Sequence, residues 1–193
     1  ALYHRERTGK GQWMDISMID SLFHMHEINL QVPQVTDGQW QPGPSGNHHA
    51  LLCPCGVYKG PEGYIALLIV QPQWKNMCRA MERPDLATDA RFAESPVRAA
   101  NQAELIPMIE AWMAGFPSDA AVLERLEACR VPCGPVLNPM DAIDHPYFRA
   151  RGTLRPVNDP ILGELMLPGF PLRFSEQSDY DAGRAPLLGE HNA

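Results

Sequence analysis

The 193-residue chain has no long apolar run. Its best stretch, Tyr64 to Trp74, includes two Gln and a Pro and falls well short of the roughly 20 residues a membrane helix needs. No membrane partner is expected. There is no signal peptide and no Asn-x-Ser/Thr acceptor. Positive charge is scarce: 16 Lys+Arg against 23 Asp+Glu leave a formal charge of −7, a poor match for nucleic acid or an anionic surface. Cysteine is sparse and odd in number, five in all, which argues against a disulfide framework and for a reducing, cytoplasmic setting. Cys53-Pro54-Cys55 and the Cys129/Cys133 pair lack partners at zinc spacing, so no metal is expected. Proline is plentiful at 19, about twice the usual share, and spread along the chain. That distribution predicts many short elements joined by stiff turns.

Ala1 to Arg7 lacks an initiator Met and a cap, and its basic residues suit a helix C-terminus. It reads as the last turns of a helix stopped by Thr8-Gly9. From Gln12 the apolar positions Ile16, Ile19 and Phe23 recur at three and four, predicting one long helix to about Val32. Residues 32–47 read as loop. Cys53 to Lys59 and Tyr64 to Val70 read as a hairpin around Gly60-Pro61-Glu62-Gly63. Pro72 opens a helix with Trp74, Met77, Cys78 and Met81 on one face. Arg91 to Asn101 is expected to be irregular. Ile106, Ile109 and Met113 mark another helix, and Ser118-Asp119 caps one carrying Val122, Leu126 and Cys129. A short strand follows near Val131 to Leu137, two more lie at Leu154–Val157 and Glu164–Leu167, and an extended tail ends the chain. A compact α+β unit, residues 50–135, is thus expected between two arms, 1–49 and 136–193.

Spacing alone yields no catalytic apparatus. Gly9-Lys10-Gly11 lacks the upstream Gly and the following hydroxyl of a phosphate loop. Gly43-Pro44-Ser45-Gly46 is one residue short of a nucleophile elbow. With His48-His49 beside it, this run reads as a flexible binding loop or an ordinary solvated one. His24 and His26, two apart on a helix, face different ways and read as packing residues. Glu190-His191 is a weak acid/base pair, because neighbours seldom face each other.

Two end motifs carry more. Arg5-Glu-Arg-Thr-Gly-Lys-Gly-Gln-Trp-Met-Asp-Ile-Ser-Met18 closely resembles the R-x-R-T-G-K-G-Q-x-x-D-x-S-M run of family III CoA-transferases, relatives of α-methylacyl-CoA racemase. Arg184-Ala-Pro-Leu-Leu-Gly-Glu-His-Asn192 is similar to that family's C-terminal A-P-x-L-G-E-H run. The resemblance spans essentially the whole chain and implies an α/β fold. Residues 50–135 would form the small α+β domain, and the arms would belong to a Rossmann-like large domain of an interlocked homodimer.

The resemblance also implies chemistry. An Asp carboxylate attacks an acyl-CoA thioester, an anhydride and then an aspartyl-CoA thioester form, and a small carboxylic acid collects the CoA. Coenzyme A enters as a thioester substrate, with no bound cofactor. The nucleophilic Asp is implied to lie upstream of residue 1; Asp15 and Asp20 do not match it. The chain therefore reads as a C-terminal fragment without turnover of its own. Met18 matches a pocket methionine, and Ser45, Gly46, Asn47 and His48 stand in the place of the glycine loop that shields the intermediate from water. Gln71 lies where racemase relatives resemble V-E-P-Q with an acid/base Glu. An amide does not titrate, which favours transfer over racemisation, unless Gln71 simply caps its helix. The alternatives are a racemase-type isomerase and a non-catalytic dimerisation or CoA-binding module.

Overall fold

The computed structural model describes residues 1–176 and 183–192. In chain order its helices begin with α1 (Leu2–Thr8), α2 (Met18–His24) and α3 (Glu27–Val35). The strands β1 (Cys55–Lys59) and β2 (Tyr64–Leu68) follow, then α4 (Gln71–Ala80), a 3-10 turn (Pro84–Ala87), α5 (Ser95–Ala100), α6 (Gln102–Met113) and α7 (Asp119–Ala128). The last elements are β3 (Cys133–Pro135), α8 (Pro139–Asp144), α9 (Pro146–Arg151), β4 (Leu154–Asp159) and β5 (Gly163–Pro168).

The core forms where side-chain periodicity meets a partner. β2 is the central strand of an antiparallel sheet in the order β1-β2-β3, with Val57 opposite Ala66 and Leu67 opposite Cys133. Ile65, Leu67 and Ile69 point inward and are buried, while Tyr64, Leu68 and Val70 are exposed, the two-residue alternation of a half-covered sheet. Against that inner face pack Trp74, Met77 and Cys78 of α4, Leu105, Ile109 and Met113 of α6, and Val122 and Leu126 of α7. Ile106 stands at the edge of this core. Ser118 caps α7 by accepting a hydrogen bond from the Ala121 amide (3.2 Å). Among the described residues, every buried apolar side chain except Val157 lies within Cys53–Val131.

The N-terminal segment departs from expectation. Instead of one helix from Gln12, residues 10–17 are non-helical, and α2 starts only where the Ser17 hydroxyl accepts from the Asp20 amide (3.3 Å). The helix stops at Met25 and restarts after His26. No residue of α1, α2 or α3 is buried, so the apolar periodicity has no surface to pack on, and only α2 has a side-chain cap at its start. His24 and His26 are exposed rather than packed. α3 runs to Val35, into the stretch expected as loop.

A short helix, α5, replaces the irregular chain expected within Arg91–Asn101, and two more, α8 and α9, occupy a stretch for which no element was expected. Each has Pro in its first turn, where the missing N–H costs nothing. β4 and β5 form an antiparallel hairpin with Leu154 opposite Pro168. The tail is not fully extended: Leu187 to Asn192 turns back, and the Glu190 carboxylate pairs with Arg184 and accepts from the Leu187 amide (2.6 Å). Ala193 lies outside the described residues. All five cysteines are free thiols. Among the described residues no helix is long and apolar enough to cross a membrane.

Candidate functional site

The segment Ser45–His48 is fastened to the edge of β1. The Val57 amide donates to the Asn47 carbonyl (2.9 Å), and the His49 amide donates to the Cys55 carbonyl (2.8 Å). This close approach requires glycine at position 56, whose φ is 141° and where a Cβ would stand 2.2 Å from the Asn47 oxygen. Gly46 adopts a left-handed φ of 64° and turns the chain toward the strand. The His48 ring packs edge-on against Tyr58, with centroids 4.7 Å apart. Its Nδ1 is buried and has no hydrogen-bond partner among the described residues. Tyr58 is fully buried, and burial pushes its phenol far above the usual tyrosine range. Between α3 and this segment lies a cavity of about 270 Å³ whose walls include Asn29, Trp40, Ser45 and His49.

A second cluster lies at the N-terminus of α4. Gln71 does not cap the helix; Val70 holds that position without a side-chain bond. The Gln71 carboxamide is instead fixed at both ends: Nε2 donates to the Ala93 carbonyl (2.7 Å), and Oε1 accepts from Arg98 Nη2 (3.1 Å). Arg98 is 0% exposed and forms no ion pair among the described residues. Its Nε donates to the Cys53 carbonyl and its Nη1 to the Phe92 carbonyl, both at 2.7 Å. Its Cζ stands 4.6 Å from the centre of the Trp74 ring. Burial lowers the guanidinium pKa from its ordinary value. It also raises the neighbouring thiols, Cys53 upward and Cys78 to about 11.

Arg98 thus joins two of the expected regions. Through the Cys53 carbonyl it holds the chain entering β1, on which the Ser45–His48 segment docks, and through Gln71 it holds the start of α4. Met18 is not brought to them: it is 84% exposed, on a helix with no buried residue. Sequence reasoning passed over Arg98 as an active element, because α5 was expected to be irregular. The Ser95-Pro96 pair opening that helix was the signal available.

Comparison with known proteins places this geometry in a family. The model of CoA-transferase family III matches residues 1–192, and the chain belongs to that family. It is 36% identical over 195 residues to the succinyl-CoA:mesaconate CoA-transferase of Haloarcula hispanica, covering 100% of this chain and 48% of that protein. It is 31% identical over 216 residues to the formyl-CoA:oxalate CoA-transferase of Streptomyces avermitilis, covering 100% of this chain and 50% of that one. A CAIB/BAIF family protein from Brucella suis shares the fold with a TM-score of 0.74 and 27% identity, over 98% of this chain and 48% of that one. Rv3272 from M. tuberculosis superposes with a TM-score of 0.77 at 24% identity, over 100% and 50%. The chain spans about half the length of the relatives it matches.

Proposed function

We propose that this chain is the C-terminal portion of an acyl-CoA:carboxylate CoA-transferase. The observation that carries the reading is the match, over the whole chain, to two proteins whose names each pair a CoA thioester with a second carboxylic acid. Coenzyme A is a substrate in this account, with no bound cofactor. The nucleophilic Asp comes from sequence upstream of residue 1, and the chain alone does not turn over. Residues 50–135 are the small domain; 1–49 and 136–193 are arms of the large domain in an interlocked homodimer. The apolar side chains left exposed on α2 and its approach, among them Ile16, Ile19, Leu22 and Phe23, support this division, since an independent module would be polar there.

Within that enzyme the Ser45–His48 segment stands over the reacting thioester and keeps water from an anhydride intermediate. Met18 lines the same pocket once the arm is seated. Gln71 is a neutral contact. Its amide cannot exchange a proton, and both its polar atoms are already engaged, so no acid/base group stands at this position. That arrangement supports transfer over α-proton exchange.

The test uses the protein extended upstream to the length of its relatives. It is incubated in D2O with 2-methylacyl-CoA, succinyl-CoA and a panel of free carboxylates, and every CoA ester is read by mass spectrometry. A new ester without deuterium at the α-carbon is expected. Deuterium uptake with no new ester would replace transfer by racemisation.

A further inference from the structure

Two of the proposed site elements, the Ser45–His48 segment and Gln71, are held from behind by one buried side chain. Ser45, Gly46, Asn47 and Gln71 are exposed, whereas Arg98 is fully buried and cannot itself touch a substrate. Its influence passes through what it holds.

Toward Gln71 the contacts close a ring. A guanidinium only donates, so the carboxamide atom facing Arg98 Nη2 has to be Oε1, at 3.1 Å. That leaves Nε2 to donate to the Ala93 carbonyl (2.7 Å), which also accepts from Arg98 Nη1 (3.2 Å). The amide is thus fixed both in place and in which way round it stands. Toward the segment there are two routes. Along the backbone, Arg98 Nε holds the Cys53 carbonyl (2.7 Å). Just beyond, the Cys55 carbonyl accepts from the His49 amide, and Gly56 bridges to His48. Through side chains, the Cys53 thiol lies 4.0 Å from the Tyr58 hydroxyl, and Tyr58 carries the His48 ring. Because the guanidinium is a rigid planar fork, it holds the Cys53 carbonyl and the Gln71 amide oxygen at a set spacing. A lysine ammonium keeps the charge but is a single point, so it cannot hold both.

We propose that Arg98 is a positioning residue for CoA transfer: it fixes the Ser45–His48 segment relative to Gln71 and so limits how much of the activated acyl group is lost to water. This rests on the reading of that segment as the cover of an anhydride intermediate. In transfer, an acyl-CoA and an acceptor carboxylate become the first acid's carboxylate and the second acid's CoA ester. In the loss, a water oxygen bonds to the acyl carbon of the anhydride and the bond to the Asp oxygen breaks. Two carboxylates form and two protons are released; the CoA thiolate takes one of them and leaves as free thiol.

The test uses the upstream-extended protein with succinyl-CoA and the panel of free carboxylates at fixed concentration, and reads new CoA ester and free CoA together by mass spectrometry. Arg98→Lys is expected to raise the ratio of free CoA to new ester by about fivefold, the weight of one hydrogen bond. A merely structural Arg98 would lower both products together, because a smaller folded fraction leaves their ratio unchanged. Should the Lys variant not fold, Arg98→Gln, a neutral donor, takes the same assay with the same expectation. Gly56→Ala, whose Cβ would stand 2.2 Å from the Asn47 oxygen, unseats the segment without touching Arg98 and should move the ratio the same way. Arg83→Gln, which removes an exposed pair with Asp85, should leave it at the parent value. A ratio raised by Gly56→Ala but not by the Arg98 variants would overturn this proposal and leave the transferase reading standing. A ratio unchanged in both would overturn the cover and the proposal with it. Absence of any new ester from the parent protein would overturn the transferase reading itself, and this inference with it.

Discussion

Arg98 bears more structural responsibility than any other side chain described. It holds three separate segments through the carbonyls of Cys53 and Phe92 and the amide of Gln71, with no ion pair among the described residues. Arg98→Met would leave those acceptors without a donor, at on the order of 1–3 kcal/mol for each one buried. A loss of at least about 3 kcal/mol in urea unfolding is expected; a loss under about 1 kcal/mol would remove Arg98 from this role. Gln71→Glu would place a carboxylate against the buried cation. Its folded pKa should fall below the unfolded value of about 4.3, so the added stability is present at neutral pH and lost on acidification through the folded value. Melting temperatures of the variant and parent at pH 7 and pH 4 should differ more at pH 7. The buried thiols work in the opposite sense. Cys78 is raised from 9.0 to about 11, so its contribution is complete below the unfolded pKa and disappears as pH rises toward 11. Thermal stability should therefore fall between about pH 9 and pH 11, and Cys78→Ala should flatten that fall. At this scale the sequence showed that Gln71 cannot titrate, since that follows from its chemistry. Its clamp by a residue 27 positions away was invisible, because nothing local signals a long-range hydrogen bond.

At the scale of elements, what could be read in advance was what packs. The hairpin of β1 and β2 and the helices α4, α6 and α7 follow their apolar periods because each period meets a facing surface. α2 and α3 share the same kind of pattern but have nothing to meet, and only α2 begins at a side-chain cap, Ser17. α5, α8 and α9 are too short to show a period; each has a proline in its first turn, and α8 has in addition a capping box between Asn138 and Asp141. The unpartnered face of α2 has a direct consequence. Replacing Ile19 and Phe23 by Gln should raise the solubility of this chain on its own, yet lower the melting temperature of the protein extended to the length of its relatives. Light scattering of the first and a thermal melt of the second measure both; equal melting temperatures would mean that the face stays exposed in the longer protein as well.

For the molecule as a whole, the end motifs from Arg5 to Met18 and from Arg184 to Asn192 were sufficient to point to the family, whose model spans residues 1–192. They could not show how the proposed site residues are arranged. Met18 stands on α2, the Ser45–His48 segment on the edge of β1, and Gln71 at the head of α4, and of these the last two are linked through the buried core. The account therefore rests on a division of labour between this chain and sequence upstream of it. The most direct measurement compares the chain alone with the upstream-extended protein in succinyl-CoA and a panel of free carboxylates, following new CoA esters by mass spectrometry over time. The extended protein should form a new ester and the chain alone none. Turnover by the chain alone, or no new ester from the extended protein, would contradict the account.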